Sequence, residues 1–403
     1  MITFKEIEAA RDRIAGAVFY SPCPASIALS EITGMQIFCK LDNLQRTGSF
    51  KERGARNALD LLSPEQKKRG VIAASAGNHA QALAHHGKLL GIPATVVMPQ
   101  FAPLIKVSTS QRLGANVVLH GKDFTEAKAH AHELAIERGL AYIDGYDDPA
   151  IIAGQGTMGI EILEQVQDID AVVVPVGGAG LIAGVSLAIK TLRPQTKIIA
   201  VEAENVASFS AALEANKPTP ITLQPTLADG LAIPIVGTNA FATAREYVDQ
   251  AITVNEEQIA LTILRLVELQ KTVVEGAAAT PLAALLSGKL AELTGKRVVL
   301  LLCGGNIDPN VLSRVIERGL VADGRLCRFT AIISDRPGGL ADLTREIAAT
   351  GASIKQVVHD RAFASSDVST VNVLCTVETR NREHIEQLRT QLKARGVQTY
   401  DAK

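Results

Sequence analysis

The first residue whose placement suggests chemistry is Lys51, which lies within the octapeptide TGSFKERG at positions 47–54. An apolar extended segment, 36–41, precedes it, and a helical pattern follows through Leu62. The first turn of a helix exposes N–H groups and the positive end of the helix dipole, so we expect a lowered pKa for the Lys51 amine. A neutral lysine amine is the nucleophile that Schiff-base chemistry requires. On position alone a surface lysine is the commoner case, so the hypothesis depends on other stretches that converge on this amine.

A glycine-rich loop follows the apolar strand predicted at 171–176. Its residues are Gly177, Gly178, Ala179, Gly180 and Leu181. A strand, a glycine loop and a helix N-terminus together form an anion cradle, because backbone N–H groups are free and no side chains intervene. The pattern predicts a phosphate site, although a glycine turn without a ligand has the same sequence signature.

The same loop supports an alternative function. Residues 178–183 fit the pattern G-x-G-x-x-A, and Glu202 ends the next predicted strand about twenty residues later, as in a Rossmann dinucleotide site. This pattern predicts an NAD-dependent oxidoreductase. Two observations weigh against it: the loop follows a complete earlier α/β series, and the Lys51 stretch would have no role.

Two further loops follow apolar strands, where the ligands of open α/β sheets collect. The first of these loops contains Ser75, Ala76, Gly77, Asn78 and His79. Its backbone offers an anion site of carboxylate size, and the Asn78 amide can contact a ring hydroxyl. His79 fits either an acid–base role or, more commonly, a structural one. The second loop, 303–306, begins with Cys303, which is either a nucleophile or, by default, a buried inert thiol.

Short apolar strands alternate with helices between residues 36 and 302, as is typical of parallel sheets buried on both faces. The fold class is therefore α/β with two such sheets. Strands are predicted at 36–41, 71–74, 94–98, 116–119, 141–143, 171–176, 197–201 and 297–302. Helices are predicted at 3–14, 51–62, 78–90, 103–113, 124–138, 153–166, 181–192, 258–268 and 277–287. The segment 217–237, rich in Pro and Thr, is expected to be irregular.

The pattern changes after about residue 321. Strands are predicted at 325–333, 353–359, 368–377 and close to the C-terminus, with helices that end at 349 and 395. The order βαββαβ predicts a separate ferredoxin-like module. The turn from Asp335 to Leu340 resembles the loop of ACT domains, which bind amino acids at paired domain edges. A dimerisation module that binds nothing is the alternative.

The composition excludes several classes of protein. The 403 residues suffice for two or three domains, and the net charge of −1 gives no reason to expect nucleic acid or an anionic membrane as a partner. The five scattered cysteines argue against zinc and against a disulfide framework. The charged N-terminus does not fit a signal peptide, and Pro175 with the following glycines interrupts the uncharged stretch 171–189. We therefore expect a cytoplasmic protein.

Together the four motifs resemble the serine/threonine dehydratases, which are pyridoxal-phosphate (PLP) enzymes of the tryptophan-synthase β-type fold. The resemblance covers about residues 5–318, and the motifs stand in the same order. It implies a catalytic domain at 1–320, with a small subdomain at about 52–146 and a large subdomain made of 1–51 and 147–320. Residues 326–403 are similar to an ACT regulatory domain.

The resemblance also implies roles for individual residues. Lys51 would hold PLP covalently and act as the catalytic base. Asn78 would contact the ring hydroxyl, and Cys303 would face the pyridine nitrogen, where a neutral thiol suits elimination better than transamination. The implied cofactor contacts are Phe50, Lys51, Asn78, Gly177, Gly178, Ala179, Gly180, Leu181 and Cys303. The implied substrate-carboxylate contacts are Ser75, Ala76, Gly77, Asn78 and His79.

The implied reaction is α,β-elimination of L-threonine to 2-oxobutanoate and ammonia, with L-serine to pyruvate as a side activity. An L-serine ammonia-lyase or a serine racemase-like enzyme is the alternative. Eukaryote-type racemases place a serine where Ala76 stands, so we expect little racemisation. Those racemases also bind a divalent metal ion through three ligands. Glu202 matches one of these ligands, but Ser208 stands where a carboxylate is expected, so we do not predict a metal site.

The resemblance further implies regulation and assembly. Isoleucine or valine would bind the ACT-like module at Asp335, Pro337, Gly338, Gly339 and Leu340. Pairing of ACT domains suggests a homodimer or homotetramer.

Overall fold

The computed structural model describes residues 2–361 and 369–401. The chain divides into two compact units, Met1–Pro309 and Asn310–Lys403. The first unit contains two separate parallel sheets, and the second contains one antiparallel sheet. The predicted α/β class with two parallel sheets is therefore confirmed.

The small sheet of the first unit consists of four parallel strands. Across the sheet their order is Asn116–Leu119, Ala94–Met98, Val71–Ala74 and Ala141–Tyr142. The two central strands are buried along their whole length, which explains why they are apolar at every position except Thr95. The helices that accompany this sheet are Lys51–Asp60, Pro64–Arg69, Asn78–Leu90, Leu104–Leu113 and Phe124–Arg138.

The large sheet consists of five parallel strands. Across the sheet their order is Gln36–Lys40, Arg297–Leu301, Ala171–Pro175, Lys197–Ala203 and Gln250–Val254. The strand of this sheet that comes first in the chain therefore pairs with the strand of this sheet that comes last, from Gln36 opposite Arg297 to Lys40 opposite Leu301. This pairing brings the loop before Lys51 beside the loop that begins at Cys303.

Five of the eight helices that surround the large sheet were predicted from the sequence, whereas Ile27–Thr33, Ser208–Ala215 and Thr238–Ala244 were not. The eight helices are Phe4–Ile14, Ile27–Thr33, Pro149–Gln165, Gly180–Leu192, Ser208–Ala215, Thr238–Ala244, Glu256–Arg265 and Gly276–Leu286. Short helical turns lie at Asp42–Leu44, Glu204–Val206, Asp229–Leu231, Leu266–Gln270 and Ala291–Leu293. The helix predicted from residue 153 begins at Pro149, because Asp148 caps it by accepting from the backbone of Ala150 and Ile151. Within the described residues, no helix has the length and apolar character needed to cross a membrane.

The second unit has the chain order that the sequence predicted, preceded by the helix Pro309–Ala322. Its strands, in sheet order, are Ser353–Asp360, Thr370–Glu378, Leu326–Ser334 and Gln398–Asp401, and its other helices are Gly339–Ala349 and Arg382–Ala394. The strand predicted at 368–377 begins with Val368, which lies outside the described residues. Phe329, Val373, Leu343 and Leu388 are buried between the sheet and the two helices.

A buried ion cluster ties the Lys51 helix to the rest of the first unit. The fully buried Arg53 guanidinium binds Asp42 through Nε and one terminal nitrogen, at 2.7 and 2.8 Å. It also binds both oxygens of Glu161, at 2.6 and 2.8 Å. Lys40 Nζ lies 2.5 Å from Glu161 Oε2 and donates to the carbonyl of Ser21 at 2.6 Å. Paired, hydrogen-bonded geometry of this kind is what allows several charges to be buried together.

We predict that Arg53→Ala destabilises the first unit severely, because Asp42 and Glu161 would remain buried without their main partner. The expected loss in the free energy of unfolding is about 3–5 kcal/mol. The matched control is Arg56→Ala on the same helix, which removes a partly exposed ion pair with Asp60 and should cost about 0.5 kcal/mol. Urea unfolding followed by circular dichroism measures both, and equal losses would contradict the prediction.

Candidate active site

One cavity of about 360 Å³ collects the residues that the sequence assigned to cofactor and substrate. It lies where the loops after strands of both parallel sheets meet. Its lining includes Phe50, Lys51, Ser75, Ala76, Gly77, Asn78, His79, Gly177, Gly178, Ala179, Gly180, Leu181 and Cys303. The four motifs, which span more than 250 positions in the chain, therefore share one cavity.

The Lys51 amine is held in this cavity at the start of the helix Lys51–Asp60. Its Nζ donates to the carbonyl oxygen of Gly145 at 2.5 Å. Burial lowers the pKa of Lys51 to about 8, and the nearby carboxyl groups of Asp144 and Glu275 oppose this shift only in part. The sequence argument relied on the helix dipole, but the principal cause is removal of the ammonium from water.

The loop before Lys51 is bonded to the loop after the last strand of the large sheet. Ser49 forms a β-bridge with Gly304, and the Phe50 N–H donates to the Cys303 carbonyl at 3.0 Å. Gly48 has φ of 76°, and a Cβ there would also collide with the Asn306 side chain. These bonds fix the distance between the lysine and the cysteine end of the cavity.

The glycine-rich loop leads into the helix Gly180–Leu192 through Ala179, which has φ of 70°. A Cβ on Gly178 or Gly180 would collide with Tyr146, so the loop needs glycine to pack against this residue. The N–H groups of the first helical turn have no intrahelical acceptor. The result is a backbone cradle suited to a phosphate.

The loop before the helix Asn78–Leu90 is shaped by Ser75. The Ser75 hydroxyl accepts from the N–H groups of Gly77 and Ala80, at 3.2 and 3.3 Å, and the Ser75 N–H donates to the Val97 carbonyl at 3.1 Å. Ser75 therefore holds the loop in shape and takes up the first-turn N–H of Ala80. The first-turn N–H groups of Asn78 and His79 have no intrahelical acceptor and suit an anion of carboxylate size.

The His79 side chain is turned into the protein. It is buried, and its Nε2 lies 3.0 Å from the Ile143 carbonyl oxygen, which only accepts hydrogen bonds. Burial and the nearby Lys51 lower the pKa of His79 to about 4. The imidazole is consequently neutral and structural, which is the commoner of the two roles considered from the sequence.

Cys303 presents a neutral thiol to the cavity. Burial raises its pKa well above the ordinary value, and the nearby Glu275 adds to this effect. The structure therefore favours the inert thiol over the nucleophile.

Several charged or polar residues that line the cavity were not predicted from the sequence, among them Lys106, Asp144, Tyr146, Asp229 and Glu275. Glu275 is buried and accepts from Asn78 Nδ2 at 2.8 Å. Burial and the nearby Asp229 raise its pKa to about 7. A lone carboxylate directly before the apolar helix Gly276–Leu286 was the available signal, since Glu is not a favoured N-cap residue.

Glu202, the acidic residue of the dinucleotide pattern, is fully buried and already engaged. Its oxygens accept from the backbone of Phe209 at 2.7 Å and Ser210 at 2.8 Å, and from the Ser210 hydroxyl at 2.5 Å. It therefore caps the helix Ser208–Ala215 and is not open to a ribose. This geometry argues against the NAD-dependent alternative.

We predict that the Lys51 amine of the cofactor-free protein reacts with a small acylating reagent at a lower pH than an ordinary lysine side chain does. Because only the neutral amine reacts, and its fraction rises with pH, the midpoint should lie near pH 8. A free lysine side chain titrates at about 10.4. Peptide mass spectrometry follows the modification of Lys51, and Lys51→Arg identifies its peptide. A midpoint above 10 would contradict the lowered pKa.

Comparison with known proteins agrees with this geometry. Residues 14–304 match the family described as pyridoxal-phosphate dependent enzyme. The chain is 43% identical over 396 residues, 98% of each chain, to a Thermotoga maritima protein named L-threonine ammonia-lyase. It resembles the structure of threonine deaminase isoform 2 from Solanum lycopersicum, with a TM-score of 0.74 and 38% identity over 78% of this chain and 91% of that chain. It also resembles serine racemase from Dictyostelium discoideum, with a TM-score of 0.72 and 33% identity over 76% of this chain and 99% of that chain. The chain belongs to the family of pyridoxal-phosphate-dependent enzymes.

Proposed function

We propose that this chain is an L-threonine ammonia-lyase, which converts L-threonine to 2-oxobutanoate and ammonia and L-serine to pyruvate more slowly. The observation that carries the proposal is the Lys51 amine, with a pKa lowered to about 8, in one cavity with a phosphate cradle and a carboxylate cradle. The relatives named for threonine elimination support threonine as the principal substrate.

The cavity fits the cofactor of this family. A glycine cradle that a Cβ would disrupt suits the phosphate, the Asn78 amide suits the ring oxygen, and the neutral Cys303 thiol suits the ring nitrogen. When bound, PLP withdraws electrons from the α-carbon of an attached amino acid, which acidifies the α-proton and allows a β-hydroxyl to leave. A thiol cannot keep the ring nitrogen protonated as a carboxylate would, so elimination is favoured over transamination.

Lys51 is the base in this proposal. Its amine would hold the cofactor, and as a free amine it would remove the α-proton of the substrate. The N–H groups at the start of the helix Asn78–Leu90 hold the substrate carboxylate and so present the α-carbon to Lys51. Ala76 has no side-chain proton to give from the opposite face, so racemisation remains slow.

The experiment is a steady-state assay of the full-length protein with L-threonine and L-serine in the presence of PLP. The wild type should show a visible absorbance band from the lysine-bound cofactor and a higher kcat/KM for threonine. Lys51→Ala should lose both the band and turnover, by about 10³-fold or more. The control Lys190→Ala removes a partly buried lysine that pairs with Asp249 and does not line the cavity, and it should change neither. Turnover of threonine by Lys51→Ala at the wild-type rate would exclude the proposed mechanism.

The proposal also includes an ACT-like regulatory role for the second unit, where isoleucine or valine binds and pairs of these units assemble a dimer or tetramer. Its support is the turn from Asp335 to Leu340. Gly338 has φ of 94° at the start of the helix Gly339–Ala349, and a Cβ on Gly339 would collide with the Ser334 carbonyl. Such a turn leaves backbone N–H groups available to a carboxylate.

We predict that Asp335→Ala weakens the response of threonine elimination to isoleucine or valine by at least several-fold, because Asp335 ties this turn to Arg361 at 2.9 Å. The basal kcat should stay within twofold of the wild type. Glu317→Ala, which removes the surface pair with Lys355, serves as the control. An effector response that is the same in Asp335→Ala and the wild type would place the effector elsewhere.

A further inference from the structure

We propose that Glu275 is a positioning residue that fixes the orientation of the Asn78 amide, so that one N–H of Asn78 is always directed at the ring oxygen of the bound cofactor. The inference rests on the proposed function, and nothing in the four sequence motifs points to Glu275. Both residues line the cavity, and both are hydrogen-bonded to other protein side chains.

A chain of amides joins three loops at the floor of the cavity. Asn306 Nδ2 donates to the Thr47 carbonyl at 2.7 Å and to Asn78 Oδ1 at 2.8 Å. Asn78 Nδ2 in turn donates to Glu275 Oε1 at 2.8 Å. The NH₂ group of Asn78 carries two protons, and Glu275 takes one of them. The second proton is the donor that we assign to the cofactor.

The direction of this chain is set at both ends by groups that only accept. The Thr47 carbonyl cannot donate, so the NH₂ group of Asn306 must face it. The carbonyl oxygen of Asn78 then faces Asn306, and its NH₂ group faces Glu275. Both oxygens of a carboxylate at position 275 accept hydrogen bonds. A flipped Asn78 amide would place its own oxygen against one of these acceptors, so the flipped orientation is excluded. In the flipped state an amide oxygen would face the ring oxygen and repel it.

Glu275 is itself held by hydrogen bonds to the loop that begins at Cys303. Its N–H donates to the Gly304 carbonyl at 3.0 Å, and its carboxylate also accepts from the backbone N–H of Asn306. A Cβ on Gly304 would occupy the space of the carboxylate. The carboxylate accepts from both Asn78 and Asn306, and a glutamine in its place offers one accepting oxygen instead of two, so we expect it to hold the Asn78 amide less well.

Ionisation of Glu275 connects this arrangement to pH. Its pKa is raised to about 7 by burial first and by Asp229 second, while Lys106 opposes the shift. Lys51 and the neutral Cys303 also face the same part of the cavity. Below about pH 7 the protonated carboxyl carries an O–H donor and accepts less well from Asn78. Cofactor affinity of the wild type should therefore fall as the pH decreases through this range.

The experiment measures the Kd of PLP for the full-length protein by absorbance titration, in a double-mutant cycle of Glu275→Gln and Asn78→Ala. We expect Glu275→Gln to raise the Kd about tenfold, to shift the absorbance band and to flatten the wild-type pH dependence near pH 7. In the Asn78→Ala background the same substitution should change the Kd less than twofold, because no amide remains to be oriented. Asp249→Asn, a partly exposed carboxylate that accepts from Ile198, is the control and should leave the Kd unchanged.

The proposal would be overturned by an unchanged Kd of PLP in Glu275→Gln, or by a tenfold effect of Glu275→Gln on this Kd that persists in the Asn78→Ala background. If Glu275→Gln does not fold, Gly304→Ala tests the same point, because its Cβ displaces the carboxylate without removing the charge, and an unchanged Kd again contradicts the proposal. A wild type that binds no PLP would refute the proposed function instead, so the two failures are distinguishable.

Discussion

The position of the reactive amine depends on Arg53, two residues further along the same helix. Its guanidinium binds Asp42, which follows the first strand of the large sheet, and Glu161, on the long helix Pro149–Gln165. Burying such a cluster adds little net stability compared with apolar packing of the same volume. We infer that its value is geometric, because the bidentate contacts permit only one placement of the helix that begins at Lys51.

Burial in the protein also changes the protonation of the Lys51 amine. Removal from water lowers the pKa of Lys51, and the carboxylates of Asp144 and Glu275 limit the decrease. A pKa near 8 leaves an amine that is basic enough to take a proton and neutral often enough to attack a carbonyl. Chemistry at this site therefore arises from a balance between desolvation and nearby negative charge, rather than from the helix dipole alone.

The sequence predicted those features that have a local cause. The strand Val71–Ala74 and the helix Asn78–Leu90 were predicted with their observed ends, because a buried apolar run and a glycine turn mark them. Glu275 was missed, because its role depends on an amide about two hundred residues away in the chain. The pairing of Gln36–Lys40 with Arg297–Leu301 likewise follows from tertiary packing that no local pattern encodes.

The proposed mechanism requires that one lysine, Lys51, holds the cofactor. Borohydride reduction of the PLP-loaded protein converts a lysine–cofactor bond to a stable secondary amine, and peptide mass spectrometry then locates it. We predict that the pyridoxyl group is found on the peptide that contains Lys51 and that equimolar labelling accompanies complete loss of threonine turnover. Labelling of a different lysine in the active, PLP-loaded protein would contradict it.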